Sequence, residues 1–161
     1  MRKIRSFLFY WLPVLVWMVL IFSGSSDTSS FQHSSRIIEP FVRWLFPHIS
    51  PKALDTIVLL IRKLAHMTEY GILALLIFRA LRHTKDHHSG GWNRSTASLT
   101  LAIAALYAAT DEFHQAFVPT REASIRDVLL DISGAALALF FCWLFMRRGP
   151  KSVAGQLTPT N

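Results

Sequence analysis

Residues 125–148 read IRDVLLDISGAALALFFCWLFMRR, with Arg126, Asp127 and Asp131 in the opening turns and no further charge until Arg147 and Arg148. A helix over 125–146 extends about 33 Å at 1.5 Å per residue, enough to cross a hydrocarbon core of about 30 Å. Its charges gather at one end, and the rest of it is apolar enough to face lipid. Immediately upstream, 97–118 repeats this arrangement in reverse, apolar over 99–105 and then carrying Asp111, Glu112, His114 and Gln115 before Pro119 stops it. The two runs form a pair of antiparallel spans whose polar ends lie at the same depth.

Two more runs complete the pattern. One covers 62–82, and its first turns hold Arg62, Lys63, His66, Glu69 and Tyr70; the other covers 7–24. The latter follows Arg2, Lys3 and Arg5 and leads into Ser23-Gly24-Ser25-Ser26, the outline of a secretory signal peptide with a long apolar region. Its length, with Trp11 and Trp17 inside it, favours a retained signal anchor. Between the first two runs, 31–50 alternates Ile37, Ile38, Phe41, Trp44, Leu45 and Phe46 with Arg36, Arg43, Pro40 and Pro47. That segment is too broken to span, and it reads as an amphipathic piece lying in the membrane interface. Ser50-Pro51 then supplies an N-cap and a first-turn proline, opening a helix that leads toward 62–82.

Composition agrees with this reading. Of the 161 residues, 52% are hydrophobic and only 17% charged, whereas soluble domains carry about 25% charged residues. The fold class is therefore all-α: a bundle of four transmembrane helices with an extracytoplasmic interfacial amphipathic segment. One membrane domain covers 1–148, with a flexible tail over 149–161. Cys142 is the sole cysteine, which excludes an internal disulfide and makes a thiolate metal cluster implausible.

Orientation follows from the basic residues. The N-terminal stretch, the loop after the second span with its shoulders (Arg79, Arg82, Lys85, Arg94) and the C-terminal end hold ten of the 17 Lys and Arg and one acid, Asp86. The other side holds the remaining nine acids. Both termini are thus expected in the cytoplasm of a multi-pass protein of the cell membrane. The net charge of +7 is largely this topological signal, so nucleic acid is not expected as a partner.

Residues three and four apart share a helix face. Lys63, His66 and Tyr70 form one row, and His66 with Glu69 another. Asp111 and His114, and Glu112 and Gln115, are three apart. Asp127 and Asp131 are four apart, with Gly134 next on that face to allow close helix approach. Ionisable groups in a membrane helix cost about 2.5–3.5 kcal/mol each at its centre, so they default to a functional site facing the bundle interior.

These same residues carry a resemblance. Lys63-Leu64-Ala65-His66-Met67-Thr68-Glu69-Tyr70, then Thr110-Asp111-Glu112-Phe113-His114-Gln115-Ala116-Phe117-Val118-Pro119-Thr120-Arg121, then Asp127-Val128-Leu129-Leu130-Asp131-Ile132-Ser133-Gly134, resemble three signature stretches of the VanZ-like family of small bacterial membrane proteins. The likeness runs from about Leu8 to Phe145. Thr120 stands where the family often has glycine, and Asp131 where many members have asparagine. The resemblance implies a four-helix membrane protein, related to one associated with resistance to the glycopeptide teicoplanin, and it names no agreed activity.

Two functional readings follow. In the first, the outer-leaflet site acts on a cell-envelope lipid or lipid-linked precursor with an anionic headgroup, or on a glycopeptide-related ligand. Glu112 and His114 are then the leading acid–base pair, with His66, Glu69 and Asp111 as further catalytic candidates. Lys63, Tyr70, Gln115, Arg121, Arg126, Asp127 and Asp131 bind and orient the ligand. A divalent metal enters as a candidate through His66, Glu69, Asp111 and His114, because helical bundles build such sites from residues three apart, though the pattern does not require one. In the second reading the chain is a non-catalytic accessory or binding module. Its charges then form a structural ion-pair network, Lys63 and Arg121 against Asp111, Glu112, Asp127 and Asp131. His83, His87 and His88 read as a solvated loop, and the five tryptophans as interfacial or lipid-facing.

Overall fold

The computed structural model describes residues 2–26, 30–85, 92–117 and 124–147. Among these the chain is entirely helical: α1 (Arg2–Ser26), α2 (Ser30–Leu45), α3 (Pro51–Lys85), α4 (Arg94–Gln115) and α5 (Ile125–Arg147). The central helix is α3, which touches all four others and packs most extensively on α5. Three helices, α1, α3 and α5, are long and apolar enough to cross a membrane. With 22 residues α4 matches them in length, but Asp111, Glu112, His114 and Gln115 in its last turns lower its apolarity.

Ser50 opens α3 as its sequence suggests, its hydroxyl accepting from the Ala53 N–H at 3.3 Å and its carbonyl from the Leu54 N–H at 3.0 Å. The helix then runs unbroken for 35 residues, about 52 Å, and continues directly through the apolar run over 62–82. That exceeds a bilayer core of about 30 Å, and α2 packs against the surplus. Val42 of α2 is buried with Leu54 and Val58 of α3. Phe41, Trp44 and Leu45 stay exposed on α2, giving it the outward apolar face expected of an interfacial segment.

A very close approach joins α3 to α5 at Gly134. A Cβ built there would lie 2.7 Å from Met67 Cα and collide with the Met67 carbonyl oxygen. Only glycine permits this crossing, which brings Ala74 and Phe78 of α3 against Ala135 and Leu139 of α5. A second cluster joins Val14 and Ile21 of α1 to Tyr70, Leu73 and Ile77 of α3 and Ala108 of α4. Large apolar side chains of α1 and α5, Phe9, Leu12, Val19, Phe140 and Phe141 among them, are left on the outside, where lipid would cover them.

Three local expectations change. The third apolar run ends its helix at Gln115, with the Ala116 N–H returning to the Glu112 carbonyl; Pro119 lies outside the described residues. His83 belongs to α3, not to a solvated loop. Its ring stacks on Tyr10 at 3.8 Å and its Nε2 is hydrogen-bonded to Ser6 Oγ at 2.7 Å, so packing against α1 extends the helix past 82. His87 and His88 lie outside the described residues, as does the 149–161 tail. Trp17 faces inward rather than toward lipid, because its indole N–H finds the Glu69 carbonyl at 2.9 Å.

Candidate functional site

Antiparallel packing gathers the C-terminal turns of α1 and α4, the middle of α3 and the N-terminal turns of α5 at one end of the bundle. Described polar residues from each of the three signature stretches meet there. Tyr70 is fully buried and its hydroxyl donates to Asp111 Oδ2 at 3.4 Å, while Gln115 Nε2 donates to the same oxygen at 3.3 Å. Asp111 is thereby anchored from its own helix and from α3. Tyr107, one turn below, donates to the Met18 carbonyl at 2.6 Å and ties α4 to α1.

Lys63 and Asp127 form an ion pair at 2.6 Å that links α3 to α5. Both side chains are more than a third exposed, so the pair itself adds less than about 1 kcal/mol. Its use is positional: it fixes an ammonium beside the start of α5. His66 Nδ1 lies 3.6 Å from Glu69 Oε2 on the exposed side of α3, with both side chains partly open. A carboxyl group in this position orients the imidazole ring.

Glu112 is buried, and its Oε1 accepts the Ser124 N–H at 2.5 Å, immediately before α5 begins. A carboxylate at the N-terminus of a helix is favoured by the helix dipole and by a charge-assisted hydrogen bond. Glu112 therefore holds α5 to α4. Among the described residues no hydrogen bond or ion pair joins it to His114, because residues two apart point to opposite sides of a helix. His114 instead lies against Phe22 of α1 at 4.4 Å, and its buried Nδ1 has no hydrogen-bond partner among the described residues.

Asp131 is buried on α5, and its Oδ1 likewise has no described partner. An unsatisfied carboxylate oxygen in a helical bundle is costly and calls for a water, a proton or a ligand. Arg126 stands exposed in the first turn of α5. Arg121 lies outside the described residues. The candidate metal set does not close: among the described residues, no three His, Cys, Asp or Glu side chains converge on one point.

Sequence reasoning missed three participants. Ser124 contributes a backbone N–H, which no residue pattern advertises. Phe22 reads as one more lipid-facing aromatic. For Trp17 a signal existed, since an indole N–H in an apolar span needs an acceptor.

Helices that expose apolar side chains all round and enclose a cluster of carboxylates, imidazoles and an ammonium at one end define an integral membrane protein with a polar site set into its bundle. The particular family is given by the match of the VanZ/LLP1 family model to residues 7–146, nearly the whole chain, and the protein belongs to that family. No curated protein and no solved structure matches the chain.

Proposed function

We propose that the protein crosses the cell membrane four times, with both termini in the cytoplasm, and that its carboxylate-rich end binds the anionic headgroup of an envelope lipid or lipid-linked precursor on the outer side. The excess of Lys and Arg at the other end supports this orientation. The observation that carries the reading is the partly open rim of the site. Lys63, held by Asp127, presents a cation one helical turn from His66 of the His66–Glu69 pair, and Arg126 stands exposed next to Asp127 at the start of α5. Cations of this kind hold a phosphate or carboxylate, and the imidazole can exchange a proton with it.

Within this reading His66 and Glu69 are the acid–base pair. Glu112 shapes the site by fixing α5, Asp111 is held by Tyr70 and Gln115, and His114 and Asp131 turn unsatisfied atoms inward. Membership of the VanZ-like family extends the proposal to glycopeptide resistance, with the headgroup or a glycopeptide-related ligand as the molecule recognised. A purely accessory role is the second reading, supported by the Lys63–Asp127 and Glu112–Ser124 links, which join helices without needing a ligand.

Native mass spectrometry of protein gently extracted from its own membranes tests the proposal. We expect a stoichiometric anionic lipid on the wild type, lost from a Lys63→Met/Arg126→Gln variant and chemically altered only when His66 is intact. Wild type and variant emerging equally empty and equally folded would overturn it.

A further inference from the structure

The opposite end of the bundle holds a separate cavity of about 500 Å³ between α1, α3 and α5. Its size suits a small ligand or a lipid headgroup, for which pockets run to about 300–1,000 Å³. Among the described residues its eight lining side chains include no acid, whereas Arg79, Arg82 and His83 all contribute. These three occupy consecutive turns at the end of α3, so the cavity carries cationic groups along one wall.

Aromatic faces position the guanidiniums. Arg79 lies over Phe9 and Tyr10, with ring centres 5.2 and 4.9 Å from its Cζ, and Arg82 lies 5.7 Å from the Phe78 ring centre. Stacking uses the faces of the Arg79 guanidinium and leaves its edges to fork onto a planar or tetrahedral anion, while Arg82 donates from Nη1 to Met146 Sδ at 3.7 Å and adds its charge beside it. The ring of His83 is fixed by Tyr10 and Ser6. Leu75 and Phe78 form an apolar wall of the same cavity, and Cys142 and Met146 of α5 close its far side. A polar, cationic wall joined to an apolar one matches an amphiphile, whose phosphate and first chain segments need both.

Depth supports the same ligand. Trp11 donates to Thr84 at 3.3 Å, Trp92 packs on Phe78 at 5.0 Å, and Trp143 lies 4.5 Å beneath Arg147. Tryptophans cluster at headgroup level in membrane proteins, and here they lie at the level of the cavity.

We propose that this cavity binds the phosphate of an anionic phospholipid of the adjoining leaflet, gripped by Arg79 with the charge of Arg82 beside it, and with the glycerol and first chain segments against Leu75 and Phe78. Basic pockets between membrane helices recognise lipid phosphate in this way. The site is independent of the carboxylate-rich end and of any reaction there.

The experiment uses the full chain in nanodiscs of phosphatidylcholine with a minor fraction of phosphatidylglycerol, read by native mass spectrometry. The expected result is one retained phosphatidylglycerol, with retention falling about tenfold in Arg79→Gln/Arg82→Gln and unchanged in Arg94→Gln/Arg147→Gln, which removes the same charge outside the cavity. Equal loss in both double variants, or equal retention of phosphatidylcholine, overturns the proposal. A second measurement needs no substitution: alkylation of Cys142 by N-ethylmaleimide should slow several-fold when phosphatidylglycerol is present. An unchanged rate overturns the proposal, and so does equal protection by inorganic phosphate in phosphatidylcholine alone, which would make the cavity a site for the free anion.

Discussion

The two ends of the bundle use charge in opposite ways. At the carboxylate-rich end Asp111, Glu112 and Asp131 are turned inward and buried, and the first two are held by Tyr70, Gln115 and the Ser124 N–H. At the other end the cations Arg79, Arg82 and Arg147 lie over the faces of Phe9, Tyr10, Phe78 and Trp143. A short carboxylate inside a helix must find donors from neighbouring helices. A long guanidinium can run its stem along apolar surface and reach the headgroups. The first kind of end is specific and fragile, the second adaptable and open to an anionic partner.

Substitutions should separate the ends in graded steps. The largest effect is expected from Gly134→Ala, which forces α5 away from the Met67 backbone and should cost about 3 kcal/mol or more. Gly24→Ala, with nothing within 4 Å of the added carbon, should stay within about 0.5 kcal/mol. Thermal unfolding in micelles compares the two, and equal melting temperatures would disprove the close crossing as the anchor of the polar end.

Next comes Glu112→Ala, expected to lose about 2 kcal/mol because the Ser124 N–H and the start of α5 lose a charged acceptor. Limited proteolysis between α4 and α5 should speed up in step, and an unchanged cleavage rate would remove Glu112 from that role. Tyr70→Phe should cost about 1 kcal/mol by leaving Asp111 one donor short. Ser6→Ala, at the other end, should cost less than Tyr70→Phe, because its hydrogen bond to His83 is only part-buried. The reverse order would contradict the contrast between the ends. The smallest stability change, under about 1 kcal/mol, is expected for Asp127→Asn, because its ion pair with Lys63 is half open to solvent. Retention of an anionic lipid at that end should nevertheless change, since Lys63 loses its fixed position; unchanged retention would separate the pair from binding.

Much of this arrangement was legible in the residues themselves. The apolar runs and the grouping of charge at one end of each foretold the all-helical class, the antiparallel order and the gathering of Lys63, His66, Glu69, Asp111, Glu112, Asp127 and Asp131 at one end of the bundle, because long apolar segments leave few alternatives to helices. Spacing foretold His66 beside Glu69, but it set Gln115 beside Glu112 and Asp111 beside His114, whereas Gln115 reaches Asp111. It did not foretell that Glu112 would turn from His114 to the Ser124 N–H, that Trp17 would cap the Glu69 carbonyl, or that His83 would leave the loop to stack on Tyr10. Those partners are 12, 52 and 73 or more positions apart in the chain.

The sequence by itself determined which segments form long apolar helices and at which end of each the charged residues gather, since both follow from hydropathy and from the rise of a helix. Only the tertiary structure decided which face of each helix meets which neighbour. That choice rests on the glycine at 134 letting α3 and α5 touch, and on buried donors and acceptors finding one another across helices. Neither is a property of any single segment.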